Sequence, residues 1–188
     1  MTRPNAASGG DREREAIMPV LYVCSLAEVA RHAEALRPAH MVSLLGEEAF
    51  PQTPQGIAVA QHLRLRVHDI AEPAEGYIAP GDEHIRELID FGRAWDRASP
   101  VIVHCFAGIS RSTAAALTLM ALHNPGREAS AARLLRERAR HAQPNRRMIA
   151  IADRLLGADG RLVDAVAGIG PGDFVNGGHL VELPAKLP

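Results

Sequence analysis

The sequence predicts one α/β domain in which a mostly parallel central sheet is flanked by helices. Short apolar runs typical of buried strands alternate with longer segments of helical periodicity, as expected for parallel strands joined by crossover helices. One of these runs, residues 101–103, leads into a glycine-containing loop and then an alanine-rich helical segment. A chain of 188 residues with 47% hydrophobic content can bury the core of one such domain without disulfide bonds.

Four strands and five helices follow from the spacing of apolar and turn-forming residues. The strands are expected at residues 20–23, 41–45, 63–68 and 101–104. Ser25 and Asp82 are expected to cap the first two helices, because their side chains can accept hydrogen bonds from the free N–H groups of a first helical turn. The helices are predicted at residues 25–36, 82–98, 111–123, 128–141 and 145–156. Residues 101–104 are the predicted central strand, directly followed by the loop.

Boundaries are predicted at both ends of this alternating region. Residues 1–17 are polar and charged and are expected to be a disordered tail, residues 18–157 to form the main domain, and residues 158–188 to form a C-terminal extension that packs on it. A short helix at residues 162–167 and a terminal strand at residues 179–183 are expected within the glycine-rich extension.

The charge and the cysteine content indicate which partners and which compartment to expect. The net charge of −1 indicates no global basic field for nucleic acid or an anionic membrane. Two cysteines are compatible with a reducing compartment. The first 18 residues lack the apolar core of a signal peptide, and no later run approaches the ~18 apolar residues of a membrane span. A soluble cytoplasmic protein is therefore expected.

The segment after the predicted central strand has the layout of a phosphate-binding loop that contains a thiolate. Residues 104–112 read His-Cys-Phe-Ala-Gly-Ile-Ser-Arg-Ser. Cys105 and Arg111 are six positions apart, so a tight loop can direct the intervening N–H groups toward one point above the sulfur, where a helix N-terminus adds about half a positive charge. That spacing alone would arise by chance in about one sequence in five of this composition, but adding His104, Gly108 and Ser112 lowers the coincidence to roughly one in ten thousand.

Cys105 and Arg111 have the chemistry that such a loop requires. A free thiol titrates near ~8.5 and only its thiolate attacks phosphorus, so the loop amides, the helix terminus and Arg111 should favour the anion. Cys105 is therefore the predicted nucleophile. The planar guanidinium of Arg111 can hold two phosphate oxygens at once, which makes it the predicted phosphate clamp.

The other loop residues have supporting roles in this interpretation. Gly108 removes a Cβ where backbone must approach the ligand. Ser112 can donate its hydroxyl to the sulfur, and His104 is expected to orient the Cys105 backbone and to add positive character rather than to act as the base. The predicted substrate-binding residues are Phe106, Ala107, Gly108, Ile109, Ser110 and Arg111.

These residues resemble the Cys-x5-Arg protein tyrosine phosphatases, in their extended form His-Cys-x-x-Gly-x-x-Arg-Ser/Thr. The resemblance covers roughly residues 19–156 and looks most like the compact bacterial members of the tyrosine and dual-specificity group. It implies that residues 18–157 are a phosphatase catalytic domain, with the phosphate loop between a central strand and a helix. It also implies hydrolysis of phosphomonoesters through a cysteinyl-phosphate, without a cofactor or metal.

The resemblance also implies a general acid on a separate loop upstream of the cysteine, and Asp69 fits that part. It follows the predicted strand at residues 63–68 and precedes a Pro- and Gly-containing stretch, so it should lie at a strand end on a mobile loop. Glu72 and Asp82 are the competing carboxylates. The order of acid before cysteine resembles the classical and dual-specificity enzymes and differs from the low-molecular-weight phosphatases.

Several residues admit two interpretations. Cys24 is expected to be a core residue, with a resolving thiol as the alternative. Asn145, in a Pro-Asn pair similar to that of many dual-specificity members, is expected to be structural rather than to position water. The arginines of residues 133–147 are expected to form a solvated helix face, part of which could border the site.

Three alternative functions remain open at this stage. The first is a redox or sulfur-transfer enzyme that uses the same oxyanion loop, the second a catalytically inactive phosphate-binding module, and the third a phosphatase of a non-protein phosphomonoester. The loop has no lysine to meet additional phosphates, which favours a substrate with one phosphate. Phosphorylated protein or a small phosphomonoester is therefore the expected partner.

Overall fold

The described part of the chain is built on a five-stranded, mostly parallel sheet. The computed structural model describes residues 20–187, so the predicted disordered tail at residues 1–17 lies outside the described residues. The strands are β1 (Val20–Ser25), β2 (His40–Leu45), β3 (His62–Arg66), β4 (Val101–Cys105) and β5 (Val181–Pro184), and they lie in the order β3-β2-β4-β1-β5. β4 is central, and only β5 pairs antiparallel, at the β1 edge. The predicted fold class is confirmed.

Within residues 20–187, six α-helices cover the two faces of this sheet. They are α1 (Val29–Leu36), α2 (Asp82–Ala94), α3 (Arg111–His123), α4 (Glu128–Arg138), α5 (Arg146–Leu156) and α6 (Arg161–Gly168). The apolar core on one face includes residues of α1, and the larger core on the other face includes residues of α2 to α6. α3 is buried along nearly its whole length, because its many alanines allow neighbouring helices to pack closely around it. The helix that follows the loop is therefore held in the middle of the molecule.

The second helix begins and ends differently from its prediction. Gly81 occupies the N-cap position of α2, so the prediction that Asp82 caps this helix is wrong. The Asp82 carboxylate instead pairs with Arg154 of α5 and with Arg86 one turn along. α2 ends at Ala94 rather than at residue 98, because Trp95 takes an extended conformation with ψ of 119°, and Arg97 beyond it is left-handed with φ of +60°. The Asp82 side chain thus forms ion pairs with two arginines instead of the capping hydrogen bond that the sequence suggested.

Two other helix ends also depart from the predictions. The Ser25 side chain makes no capping bond, and one 3₁₀ turn (Leu26–Glu28) separates β1 from α1. α4 ends at Arg138 rather than at residue 141. The Arg136 side chain follows the chain past this end, donating hydrogen bonds to the carbonyl oxygens of Arg140 at 2.5 Å and Gly170 at 2.9 Å. The segment after α4 is therefore tied to residues of the C-terminal extension.

The C-terminal extension supplies α6 and β5, close to the helix and strand expected there. Asp153 of α5 accepts hydrogen bonds from the N–H groups of Gly160 and Leu162, which fixes the start of α6. Leu183 and Leu187 are buried in the larger core. Within residues 20–187, no helix has both the length and the apolar character needed to cross a bilayer.

Candidate active site

The predicted phosphate loop lies at the carboxyl end of the central strand. Cys105 is the last residue of β4, and Arg111 is the first residue of α3. Both residues are buried, with Cys105 1% exposed and Arg111 6% exposed. Phe106, the first residue after the cysteine, is 57% exposed and lies at the outer rim. The loop thus joins a buried sulfur to a buried guanidinium across one short connection.

The carbonyl groups of this loop accept hydrogen bonds from residues outside the loop. The oxygen of Phe106 accepts from the N–H of Leu26, and that of Ala107 from the N–H of Gly178 in the C-terminal extension. Further along, the oxygens of residues 109 and 110 accept from the N–H groups of residues 143 and 145. Because each trans peptide points its C=O and the next N–H in opposite directions, outward carbonyls leave the following amides directed to the inside of the loop. This is the arrangement that an oxyanion requires.

Two groups of the loop contact the sulfur itself. Ser112 Oγ lies 3.2 Å from Cys105 Sγ, and the N–H of Gly108 donates to the same sulfur at 3.3 Å. Both contacts suit a thiolate, which accepts hydrogen bonds more strongly than a thiol. Ser112 thus lies where its hydroxyl can donate to the sulfur, as the sequence analysis expected, whereas the contact of the Gly108 N–H with the sulfur was not expected.

Gly108 is required at its position for two separate reasons. Its φ is +74°, a conformation that residues with a side chain rarely adopt. A Cβ added there would lie 2.8 Å from the backbone carbon of Cys24 and 2.8 Å from the backbone nitrogen of Ser25. Backbone at the end of β1 cannot move aside as a flexible side chain could.

Replacing Gly108 with alanine is therefore expected to displace the loop and abolish binding of phosphate or vanadate, measured by calorimetry. The matched control is Gly126→Ala. Gly126 has a similar φ of +82°, but an added Cβ would meet nothing within 4 Å. The Gly126→Ala substitution should therefore lower stability by about 1 kcal/mol through backbone strain and leave anion binding intact. Equal loss of binding in both variants would contradict this account of the loop.

Arg111 is anchored at one nitrogen and leaves others available. Its Nη1 donates to the carbonyl oxygen of Val67 at 2.9 Å, which holds the side chain against the end of the β3 segment. Its buried Nε makes no hydrogen bond within the described residues and lies 3.9 Å from Asp69 Oδ2. A buried donor without a partner is costly, so a phosphate oxygen at this point would satisfy it.

Asp69 lies beside the loop, as its sequence position suggested. Its Oδ1 accepts hydrogen bonds from Ser110 Oγ at 2.6 Å and from Asn145 Nδ2 at 2.9 Å. Its side chain remains 38% exposed. The other two carboxylates lie elsewhere, since Glu72 is exposed in the following loop and Asp82 pairs with arginines of α2 and α5.

Asn145 has a role that the sequence analysis missed. Its Oδ1 accepts from the N–H of Met148 and caps α5, while its Nδ2 donates to Asp69. Arg147, the second residue of α5, donates to the carbonyl oxygen of Pro80 at 2.6 Å, near the end of the loop that carries Asp69. The N-terminus of α5 therefore holds this loop at both ends. A Pro-Asn pair before a helix signals the cap, but it carries no signal for the second contact.

His104 differs from its prediction in charge. The residue is fully buried, and this burial lowers the pKa of His104 to about 4 although an interaction with the Cys105 backbone opposes the shift. The ring is therefore neutral near pH 7, and the expectation that it adds positive character is wrong. Its Nε2 lies 2.6 Å from Ser43 Oγ, in the interior of the sheet.

Stability should fall in mild acid because His62, close to His104, is also buried, and burial lowers its pKa to about 4 as well. Both folded pKa values are below the ordinary value of about 6.5, so the unfolded chain binds more protons between pH 6.5 and 4. Their stabilising contribution is complete above pH 6.5 and is lost as the pH falls toward 4. Urea unfolding at pH 7.5, 6.5 and 5.5 should give decreasing free energies of unfolding. A constant or rising value would contradict this prediction.

Cys24 lies in the core, which favours the first of its two interpretations. It is fully buried, burial is the main cause that raises the pKa of the Cys24 thiol to about 12, and it packs in the smaller core on the α1 face. Cys24 is paired in register with His104, whereas Cys105 is the next residue along β4 and packs in the larger core. Successive residues of a strand point to opposite faces, so the two thiols lie on different sides of the sheet.

The described residues contain no group of three or more His, Cys, Asp or Glu side chains that could hold a metal ion. The groups that converge at the loop are instead a thiol, a hydroxyl, a guanidinium, backbone amides and one carboxylate. Groups of these kinds are able to bind an oxyanion and to supply a nucleophile and a proton.

The chain is similar in sequence to one curated phosphatase and in fold to several solved phosphatase structures. No protein-family profile matches the chain. The dual specificity protein phosphatase MPK-4 of Drosophila melanogaster is 30% identical over 118 residues, which are 62% of this chain and 29% of that protein. The chain thus spans less than a third of the length of this curated relative.

Solved structures share the fold at lower identity. The crystal structure of DUSP15 superimposes with a TM-score of 0.57 at 22% identity, covering 81% of this chain and 92% of that one. The structure of PTPMT1 in complex with PI(5)P gives a TM-score of 0.53 at 16% identity, covering 73% of this chain and 90% of that one. The chain therefore has the fold of these two structures, and the Cys-x5-Arg motif that resembled the protein tyrosine phosphatases lies within that fold.

Proposed function

We propose that this protein is a protein tyrosine or dual-specificity phosphatase that hydrolyses phosphomonoesters through a cysteinyl-phosphate intermediate. The observation that carries the proposal is a single loop that begins at the Cys105 sulfur, which accepts from the Gly108 amide, and ends at Arg111, whose guanidinium lies 3.9 Å from Asp69. A nucleophile, an oxyanion cradle and a proton donor are the groups that phosphoryl transfer needs.

In the first step of this proposal, the Cys105 thiolate attacks phosphorus, the S–P bond forms and the bond to the leaving oxygen breaks. Arg111 and the loop amides hold the three other phosphate oxygens as the phosphoryl group flattens. Asp69 gives its proton to the leaving oxygen. Because Oδ1 already accepts hydrogen bonds from Ser110 and Asn145, the proton is expected on Oδ2.

In the second step, the Asp69 carboxylate takes a proton from water as the water oxygen attacks phosphorus. The S–P bond breaks, inorganic phosphate leaves and the thiolate is regenerated. Ser112 Oγ and the N–H of Gly108, both within 3.3 Å of the sulfur, stabilise the thiolate as the leaving group. Ser110 and Asn145 hold the carboxylate in place for both proton transfers.

Phosphorylated protein is the substrate class that the proposal favours. The relative with 30% identity is a dual specificity protein phosphatase, and the loop offers Phe106, Ala107, Ile109 and Ser110 where a substrate with several phosphates would call for cations. The structure solved with PI(5)P keeps a non-protein phosphomonoester as the second candidate. A disulfide-forming redox enzyme is disfavoured, since Cys24 is buried on the opposite side of the sheet from Cys105.

A reducing, cytoplasmic location is part of the proposal, because a thiolate nucleophile loses activity on oxidation. A relationship to the compact bacterial phosphatases, which the motif resembles most, is likewise part of the proposal.

Activity on a panel of substrates tests the proposed function. Purified protein should hydrolyse phosphotyrosine peptides, with phosphoserine peptides, phosphoinositides and sugar phosphates as the alternative classes, and activity should persist in a chelator. Hydrolysis confined to phosphoinositides or sugar phosphates would select the second candidate. Activity that a chelator removes and a divalent ion restores would contradict the thiolate mechanism.

A further inference from the structure

A continuous line of polar side chains runs from behind the phosphate loop to the edge of the sheet. His104 Nε2 lies 2.6 Å from Ser43 Oγ, and the same Ser43 oxygen lies 2.8 Å from His62 Nε2. The other ring nitrogen of His62 lies 3.0 Å from Thr53 Oγ1, which accepts a hydrogen bond of 2.6 Å from Arg64 Nη2. These five residues are called the polar chain below. Ser43 pairs in register with both His104 and Arg64, so the sheet itself sets this row.

One direction of the hydrogens gives both hydroxyls of the polar chain an acceptor within the polar chain itself. Arg64 can only donate, so Thr53 Oγ1 is an acceptor toward it, and the Thr53 hydroxyl hydrogen has His62 Nδ1 as its acceptor. A neutral imidazole that accepts at Nδ1 carries its hydrogen on Nε2. His62 therefore donates from Nε2 to Ser43 Oγ.

The direction of the next hydrogen bond, from Ser43 to His104, follows in the same way. Since the Ser43 oxygen accepts from His62, its own hydrogen goes to His104 Nε2, 2.6 Å away. The hydrogen of the His104 ring then has to be on Nδ1. This is the side of the ring that is left to interact with the backbone of Cys105, an interaction that raises the pKa of His104, and Nδ1 completes no hydrogen bond within the described residues.

We propose that Ser43 and His62 are positioning residues for Cys105 that act through His104, by holding the His104 imidazole in the tautomer with its hydrogen on Nδ1. A hydrogen at Nδ1 attracts the backbone carbonyl oxygen of Cys105, whereas a lone pair at that nitrogen would repel it. The proposal rests on the proposed function of Cys105 as the nucleophile. It adds two residues, 62 and 43 positions before the nucleophile, that set the placement of its backbone.

Burial makes the choice of tautomer consequential. Ser43 and His104 are fully buried and His62 is 5% exposed, so water cannot replace a missing partner. Burial lowers the pKa of both imidazoles to about 4, and each ring therefore carries a single hydrogen whose place is decided by its neighbours. A broken polar chain would leave His104 free to exchange between its two tautomers.

Nitrogen-15 NMR of the histidine rings tests the tautomer directly. The wild-type protein should show His104 with a protonated Nδ1 and an unprotonated Nε2, and His62 with the reverse. In Ser43→Ala, the His104 signals should move toward a mixture of the two tautomers. Wild-type His104 protonated on Nε2, or an unchanged tautomer in Ser43→Ala, would overturn the proposal.

The rate at which iodoacetate alkylates Cys105 at pH 6 gives a second readout on the thiolate. Cys24 should not react, because burial raises the pKa of its thiol to about 12 and it stays protonated at pH 6. Ser43→Ala and His62→Phe should each lower the alkylation rate, and kcat, about three- to tenfold, the equivalent of one net hydrogen bond. Because both break the same polar chain, the double variant should be no slower than either single one. Multiplying effects would contradict a shared path through His104.

Two further variants separate positioning from stability. Ser43→Thr keeps the hydroxyl and should restore the alkylation rate and the tautomer. Thr118→Val removes a buried hydroxyl of α3 that donates to the Ala114 carbonyl oxygen, and it should lower stability without altering either readout. Loss of stability in Ser43→Ala with an unchanged alkylation rate would reduce the polar chain to core packing. Since the NMR readout needs no turnover, an inactive wild type with the expected tautomers would count against the proposed function alone.

Discussion

Replacing Cys105 with serine is expected to abolish turnover, with kcat reduced about 10⁴-fold or more. A serine hydroxyl is far too weakly acidic to ionise in this site, whereas the loop amides and Arg111 that bind the oxyanion remain. Phosphate or vanadate binding should therefore remain detectable by calorimetry while hydrolysis of an aryl phosphate is lost.

Cys24→Ala is the matched control for this substitution. Cys24 is also buried at the end of β1, but it packs in the core on the other side of the sheet. The Cys24→Ala variant should lose some stability and keep most of the wild-type kcat. Hydrolysis retained in Cys105→Ser, in protein free of contaminating activity, would rule out the covalent mechanism.

Replacing Asp69 with asparagine is expected to lower kcat by about 10²- to 10⁴-fold on alkyl and phenolic phosphates, the usual contribution of a positioned acid. Substrate binding should survive, because Arg111 keeps its contact with Val67. The loss should shrink for leaving groups that depart without a proton. A plot of log kcat against the pKa of the leaving group should therefore have a steeper negative slope for the variant than for the wild type.

Two controls separate acid chemistry from loop structure. Glu72→Gln changes an exposed carboxylate of the same loop and should leave the slope unchanged. Asn145→Asp keeps an oxygen to cap α5 at Met148 but replaces the donor to Asp69 with a second carboxylate, so kcat should fall while stability is kept. Near-normal activity of Asp69→Asn, with the steeper slope appearing in Glu72→Gln instead, would show that the acid has been assigned to the wrong residue.

The sequence predicted the elements around the loop well because their signals are local. A run of three β-branched residues marks the central strand, and Pro125-Gly126 ends the helix at His123, as the structure shows. The strand of the extension carries a weaker signal. Its antiparallel position beside β1 depends on pairing with residues about 160 positions earlier in the chain, which no local pattern encodes.

The parts that the sequence could not predict are contacts between distant residues and the burial that results from them. The Asn145 side chain reaches Asp69 across 76 positions, and only the packed fold brings the two together. The charge of His104 follows from complete burial at the centre of the sheet, which lowers its pKa, and a motif alone suggests the opposite charge. Local chemistry was therefore enough to predict the residues of the candidate site, while the charge of His104 could be inferred only from the fold.

Trapping the covalent intermediate tests the central claim most directly. The protein is mixed with a phosphotyrosine peptide or an aryl phosphate, quenched within milliseconds and analysed by mass spectrometry after digestion. The account predicts one phosphate on the peptide that contains Cys105, absent from Cys105→Ser. Hydrolysis by the wild type with no phosphate on Cys105 at any quench time, or with phosphate on another residue, would contradict it.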